Sequence, residues 1–328
     1  MAQTGDVHPW VAQRRNRITF GLQTFSRPDD PQPTRRVIEA GRLADRLGLD
    51  AFYLGDHPAR AAECWMHLAV IAATTERVWL GSVVNCLGYR YPMLIARQAT
   101  DLDHMAGGRT ILGLGIGWDA PEFAELGLPY PSIRARQEAL NEAVAIIEGV
   151  WCDAPFSFEG RHYSVRDALI APAPVQRPRP PLLIAGAGEQ VTLRQVARYG
   201  DACSFGASPQ IGGVRTVDDV RHKLDVLRRH CEETGRPYDD ILRTHFTAWL
   251  MIAPTEAEAQ AKLRRYYPDG LTEAQRYSRV IGTPEQVAAY YQSLVQAGIQ
   301  HFVCQSLDAE DVETFHLLAE DVAPRLGG

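Results

Sequence analysis

The sequence predicts an α/β protein, a (β/α)8 TIM barrel with inserted loops, and three observations carry that prediction. Strand-like and helix-like segments alternate along the 328 residues, the order a parallel sheet requires. The strand-like segments are near-continuous apolar runs, as strands covered on both faces are. They number eight, and a closed barrel of that size forms one large domain of about this length. An open doubly wound sheet is the other arrangement compatible with the alternation, because order alone does not show closure.

The first strand covers residues 18–23, and a helix follows over about 34–47 with Val37, Ala40, Ala44 and Leu47 on one face. Gly48 supplies its stop. The second strand, 51–54, leads to a helix near 64–75; the third, 78–85, leads to one near 93–105; the fourth spans 110–116. In that fourth strand Gly113 and Gly115, with Gly117 just beyond, withhold side chains from a buried run, so something flat or bulky is expected against the backbone. Pro121, Pro129 and Pro131 break the rhythm before a long amphipathic helix carrying Leu140, Val144, Ile147 and Trp151. The alternation resumes with strand 181–185 and a helix from Glu189, strand 202–205 and a helix from Val217, and strand 244–252. Strand 301–305 is the last, after a helix capped by Thr283 with Pro284 in its first turn. Residues 18–328 read as a single domain with insertions near 119–132, 153–181 and 254–281, the second holding a small hairpin around Phe158 to Tyr163. Residues 1–17 read as a loose N-terminal tail.

Composition narrows the function classes. A hydrophobic fraction of 45% and a charged fraction of 23% describe an ordinary globular chain. A net charge of −6 gives no electrostatic reason to expect nucleic acid or an anionic membrane as partner. No apolar run approaches membrane-spanning length, and the N-terminus lacks the apolar core of a secretory signal. The six cysteines are scattered without a Cys-x-x-Cys, and the ten histidines form neither His-x-His nor His-Glu-x-x-His. A reduced cytoplasmic enzyme without a metal is the expectation.

In a barrel the functional groups lie at the C-terminal ends of the strands. Asp56 and His57 end the second strand, where imidazole is suited to proton transfer near neutral pH; in the plain structural reading Asp56 caps the next segment and His57 bonds within a turn. Asn85, at the end of the third strand, has the donors and acceptor to meet a polar ring edge, or is an ordinary strand-end residue. Gly186, Ala187 and Gly188 lie between a strand and a helix start, where free amides and the helix dipole hold phosphate, although a tight turn needs the same glycines. Arg90, Arg134, Arg136 and Arg194 are arginines that could pair with an anionic ligand, and of these Arg90 is the one carried forward as a cofactor contact. Trp118 either lines a substrate pocket by stacking or plugs the mouth.

Several of these segments together resemble the luciferase-like family of flavin and deazaflavin oxidoreductases, in its coenzyme F420-dependent branch. The resemblance runs through residues 18–23, 53–57, 75–81, 90–92, 101–118, 183–188 and 281–302, and its most specific part is Gly107-Gly108-Arg109 to Gly117-Trp118 placed after Asp101 and Asp103. It implies a barrel of the luciferase-like type, a homodimer, and a nonprolyl cis peptide in a bulge at the end of the third strand, around Val83, Val84 and Asn85, on which a flavin-like ring packs. It further implies catalytic roles for His57 and Asp56, cofactor contacts from Val83, Val84, Asn85, Arg90 and Gly115, and a cofactor phosphate near Gly186 to Gly188 and near Ser204, Phe205 and Gly206. The implied activity is F420-dependent hydride transfer with a small organic substrate, and the alternative is an FMN-dependent monooxygenase. The chain departs from the family's deazaflavin-dependent glucose-6-phosphate dehydrogenases, which carry glutamate where Trp118 stands and a tryptophan where residues 58–61 run Pro-Ala-Arg-Ala. Sugar-phosphate oxidation is therefore not expected.

Overall fold

The computed structural model describes residues 7–25 and 30–327. In chain order its elements are α1 (Pro9–Ala12), β1 (Thr19–Gln23), α2 (Pro33–Arg46), β2 (Ala51–Leu54), α3 (Cys64–Ala72), β3 (Trp79–Cys86), α4 (Pro92–Met105), β4 (Thr110–Gly115), α5 (Ala120–Glu125) and α6 (Ile133–Val150). A hairpin of β5 (Phe156–Glu159) and β6 (Ser164–Ala168) follows, then β7 (Leu182–Ala185), α7 (Thr192–Tyr199), β8 (Ala202–Gly206), α8 (Val217–Thr234) and β9 (Leu242–Ile252). The chain ends with α9 (Glu256–Tyr266), α10 (Glu273–Ser278), β10 (Val280–Gly282), α11 (Pro284–Ala297), β11 (His301–Ser306) and α12 (Val312–Leu317).

Closure is decided by β9, which pairs with both β8 and β11. Eight parallel strands run β1-β2-β3-β4-β7-β8-β9-β11 and return to β1, while β10 adds a short strand beside β9. The open sheet is thus excluded, and all eight expected strands are present. Their two-residue period divides the core into two layers. Ala51, Tyr53, Ile111, Leu183, Ala202, Leu242 and Val303 fill the barrel interior. Their neighbours Phe52, Leu112, Leu182, Ile184, Cys203 and Phe302 point outward beneath the helices.

Two expectations are corrected. Residues 7–17 do not form a loose tail: Pro9 starts α1, the His8 side chain accepts the Trp10 amide, and Trp10 and Val11 are buried within the interior layer. Trp10 approaches Trp79 and His301, which stand at the N-terminal ends of their strands, so this short helix closes that end of the barrel. The part of the tail before Val7 lies outside the described residues. The glycines of β4 receive an intramolecular neighbour. A Cβ at Gly113 would lie 2.0 Å from the Ser82 carbonyl oxygen, and one at Gly115 2.5 Å from Val84 Cγ2. The pairing of β3 with β4 shifts between Ser82 and Asn85, so the flat object against the glycines is the bulge of β3 itself.

Candidate active site

The functional candidates gather at the C-terminal ends of the strands, around His57. Its side chain is one-quarter exposed (26%), and Nδ1 lies 2.7 Å from Oε2 of the fully buried Glu122. The same oxygen accepts the Tyr89 hydroxyl at 2.7 Å, and Oε1 accepts the Ala59 amide at 3.2 Å. Burial, with the Glu122 carboxylate beside it, pushes the Tyr89 hydroxyl up, so Tyr89 is a donor. A carboxylate surrounded by donors takes the Nδ1 proton as its third hydrogen bond, which fixes one imidazole tautomer. His57 Nε2 has no hydrogen-bond partner among the described residues.

Glu122 is the member of this group that sequence reasoning missed. It sits in the first turn of α5, inside a segment expected to be an irregular loop. Asp119 caps that turn by accepting the Glu122 amide, with Pro121 at a position where a missing N–H costs nothing. The pattern Asp119-x-x-Glu122 ahead of an apolar residue was the available signal. Ligand atoms of His57, Asp119 and Glu122 lie within 4.8 Å of one another, a spacing that admits a cation. Arg60 already pairs with Asp119 there.

Asp56 faces away from the mouth. It is 3% exposed, accepts Arg90 through both oxygens at 2.8 and 2.6 Å, and accepts the Cys86 amide at 3.0 Å. Burial pushes its carboxyl up while the Arg90 guanidinium pulls it down. Arg90 is completed by Glu63 at 2.6 Å. The two residues expected to serve catalysis and cofactor binding are instead spent on each other, tying the end of β2 to the turn after β3 behind His57.

On β3 the Val83–Val84 peptide is cis, and both valines are partly exposed beside the interior layer. They form the apolar floor of the mouth. Gln23 donates to the Val83 carbonyl at 3.0 Å and accepts Gln305 at 2.7 Å, so β1 and β11 hold the bulge from the side; neither glutamine was anticipated. Asn85 does not face the mouth: it is fully buried and donates to the Gly113 carbonyl at 3.1 Å. Gly115 lies under Val84 and acts by making room for it.

The second cluster is the loop after β7. The Gly186 amide is spent on the Ser204 carbonyl at 2.8 Å, whereas the Ala187 and Gly188 amides have no partner among the described residues. Gly186 has φ +129°, and Thr192 packs against it and Gly188 so closely that neither position has room for a side chain. Helix α7 begins at Thr192, three residues after the expected start at Glu189. Ser204 is 3% exposed and Phe205 is fully buried in the outer layer, so of the β8 trio only Gly206 ends at the loop. Opposite, Trp118 is 49% exposed with its ring edge-on to His57 at 5.8 Å. Tyr130 donates to its carbonyl at 3.2 Å. Arg136 stacks on Tyr130 and donates to the Ile116 and Gly117 carbonyls, which makes it a backbone clamp. Arg134 pairs with Glu138, and Arg194 is exposed.

A closed barrel with a histidine at the end of β2, a bulge on β3 and a glycine loop after β7 brings a proton-transfer group, an apolar floor and backbone amides to one mouth, the layout of a barrel enzyme with its site at the strand C-termini. Residues 17–279 match the family described as luciferase-like monooxygenase, and the chain belongs to that family. It is similar to an F420-dependent glucose-6-phosphate dehydrogenase of Kineococcus radiotolerans, with 30% identity over 87% of this chain and 93% of that one. It is also similar to the 4-hydroxyprotoasukamycin monooxygenase of Streptomyces nodosus subsp. asukaensis, with 25% identity over 95% and 93%. Among solved structures, the F420-dependent tetrahydromethanopterin reductase of Methanopyrus kandleri superposes with a TM-score of 0.79 over 94% of this chain and 99% of that one; at 18% identity this is a likeness of fold.

Proposed function

We propose that the protein is an F420-dependent oxidoreductase that moves a hydride between the deazaflavin and a small organic substrate. The observation that carries this reading is His57, held through Nδ1 and bare at Nε2, beside the apolar floor of Val83 and Val84. The F420-dependent relative at 30% identity supports the choice of cofactor. The residues present fit such a group: the valines offer a flat apolar surface, and the unpartnered Ala187 and Gly188 amides offer donors for a phosphate. When bound, a deazaflavin supplies two-electron hydride chemistry. His57 Nε2 takes or gives the accompanying proton, Glu122 holds the ring so that the proton leaves from or arrives at that atom, and Asp56 with Arg90 braces the strand end. Orientation at the mouth supplies the remainder, by holding the reacting groups together.

Titrating the purified protein with F420 and, in parallel, with FMN tests the reading. Stoichiometric binding of F420 with much weaker FMN binding is expected. Preference for FMN would transfer the chain to the monooxygenase side of its family.

A second copy of the chain is the expected partner. Helix α3 is apolar on its outer side as well as its inner, with Met66 69% and Val70 42% exposed, and Leu94 of the neighbouring α4 is 49% exposed. A helix that is apolar all round is ordinarily covered. Light scattering should therefore give twice the chain mass. No described helix is long and apolar enough to cross a membrane, and we place the enzyme in the cytoplasm, where its six unpaired cysteines stay reduced.

A further inference from the structure

We propose that the substrate site takes a flat, apolar molecule, an aromatic or quinone-type ring, laid against a wall of aromatic side chains that runs from Trp249 to Trp118. The inference rests on the oxidoreductase reading and names the substrate class of that site.

The first observation is Trp249. It has φ +58° in β9, where the pairing with β11 slips between Cys304 and Ser306. A bulky side chain in the left-handed region is disfavoured and persists where its surroundings over-determine it. Here the bulge turns the indole against the interior layer, on which Val83, Val84 and Ala185 also pack.

The second is continuity. Trp249 meets Phe25 with ring centroids 6.4 Å apart. Phe25 Cζ and His57 Cδ2 stand 2.9 and 3.4 Å from the place a Cβ would occupy on Gly55, so the two rings flank the space that a side chain at residue 55 would fill. From His57 the wall passes edge-on to the half-exposed Trp118. A lone exposed tryptophan is unremarkable; one edge-on to the reacting histidine, which lies across Gly55 from Phe25 and the strained Trp249, is part of a stacking surface.

The third is charge. Arg60 is consumed by Asp119 and Glu125, and Arg90 by Asp56 and Glu63. Arg279 lies over the Trp249 and Tyr267 rings and donates to the Tyr267 hydroxyl. The cations around His57 are therefore committed, which suits a neutral ring better than a sugar phosphate.

Calorimetric binding of menadione and of glucose 6-phosphate, each to the F420-loaded and the cofactor-free protein, tests the proposal. Saturable binding of one menadione, at least about 10-fold tighter than glucose 6-phosphate, is expected, with a loss of about 10-fold in Trp118→Ala and in Trp249→Ala, as for a lost stacking partner. Trp118→Phe and Trp249→Phe should recover most of it. Trp118 is exposed, so its alanine variant carries the test should Trp249→Ala fold poorly. Menadione affinity indifferent to both alanine changes, or tighter binding of glucose 6-phosphate, would overturn the proposal. Failure of F420 to bind while menadione still depends on the two tryptophans would instead sink the cofactor assignment and leave the substrate class standing.

Discussion

At the N-terminal end of the barrel, His301 has both ring nitrogens engaged, Nδ1 with the Thr19 hydroxyl at 2.7 Å and Nε2 with the Tyr53 hydroxyl at 3.0 Å. At the C-terminal end His57 has one nitrogen engaged and the other bare. The contrast extends to their surroundings. Around His301, Arg14 is sandwiched by Trp10 and Trp79 and pairs through two nitrogens with Asp50 at 2.8 and 2.9 Å. Around the mouth, by contrast, stand unpartnered amides at Ala187 and Gly188, a strained Trp249 and a half-exposed Trp118. One end pairs its histidine with two hydroxyls and its arginine with its aspartate, and contributes stability; the other leaves a few donors, acceptors and ring faces unspent, which is what binding and catalysis use.

The most severe way to break this contrast is to remove the bare nitrogen. His57→Ala should lower F420-dependent turnover by about 10²–10⁴-fold, the ordinary contribution of a positioned acid or base. F420 affinity should stay near the parent value, while stability falls by about 1–3 kcal/mol because the buried Glu122 carboxylate loses one of its donors. Turnover within a few-fold of the parent would remove His57 from the mechanism and with it the functional meaning of the open end.

The closed end should show itself through pH. Burial lowers the His301 imidazole to about 4 in the fold, against 6.5 for an unperturbed histidine. Above the higher value neither state binds the proton. As pH falls between the two, the unfolded chain protonates and the folded one does not, so stability is lost on acidification, by roughly 3 kcal/mol once the folded value is reached. His245, lowered to about 4 by burial alone, adds a loss of the same sign over the same window. Urea denaturation of the parent and of His301→Asn isolates the first term: the variant is less stable near neutrality, but its stability should fall less steeply with acid by up to about one proton. Parallel slopes would show that His301 is not the group held neutral.

The same asymmetry explains which parts of the molecule were legible in the sequence. Strands buried on both faces and helices with one apolar face leave periodic marks, and the eight strands of the closed barrel were found on them. Residues whose roles depend on distant partners leave no such mark. Asp56 was read at the end of the second strand and Arg90 as a cofactor contact, but nothing local says that they neutralise each other. The bulge between Ser82 and Asn85 shifts the pairing of β3, so a residue expected to face the cofactor is turned between strands. Gly113 and Gly115 signalled a close approach without saying of what. At both ends the missed element is a short capped helix: α1 behind the His8 cap and α5 behind the Asp119 cap, each too brief for periodicity to reveal.

Glu122 allows the finest test, because a single atom can be changed while the shape is kept. Its carboxylate accepts three donors, from His57, Tyr89 and the Ala59 amide. In Glu122→Gln one oxygen becomes an NH2 group. Placed toward Ala59, that group opposes a backbone N–H; placed toward His57, it donates to Nδ1 and drives the proton to Nε2. Either outcome leaves a donor without its acceptor, at a cost of about 1–3 kcal/mol of stability. The second also fills the nitrogen that the mechanism leaves bare. Nitrogen NMR of His57 should show one tautomer, protonated at Nδ1, in the parent and a mixed or reversed population in the variant, and turnover should fall by about 10-fold, a 1.4 kcal/mol effect, with F420 affinity unchanged. A stability loss with His57 still wholly in the Nδ1 form and turnover intact would reduce Glu122 to packing, and would show that the open end positions its histidine by some other contact.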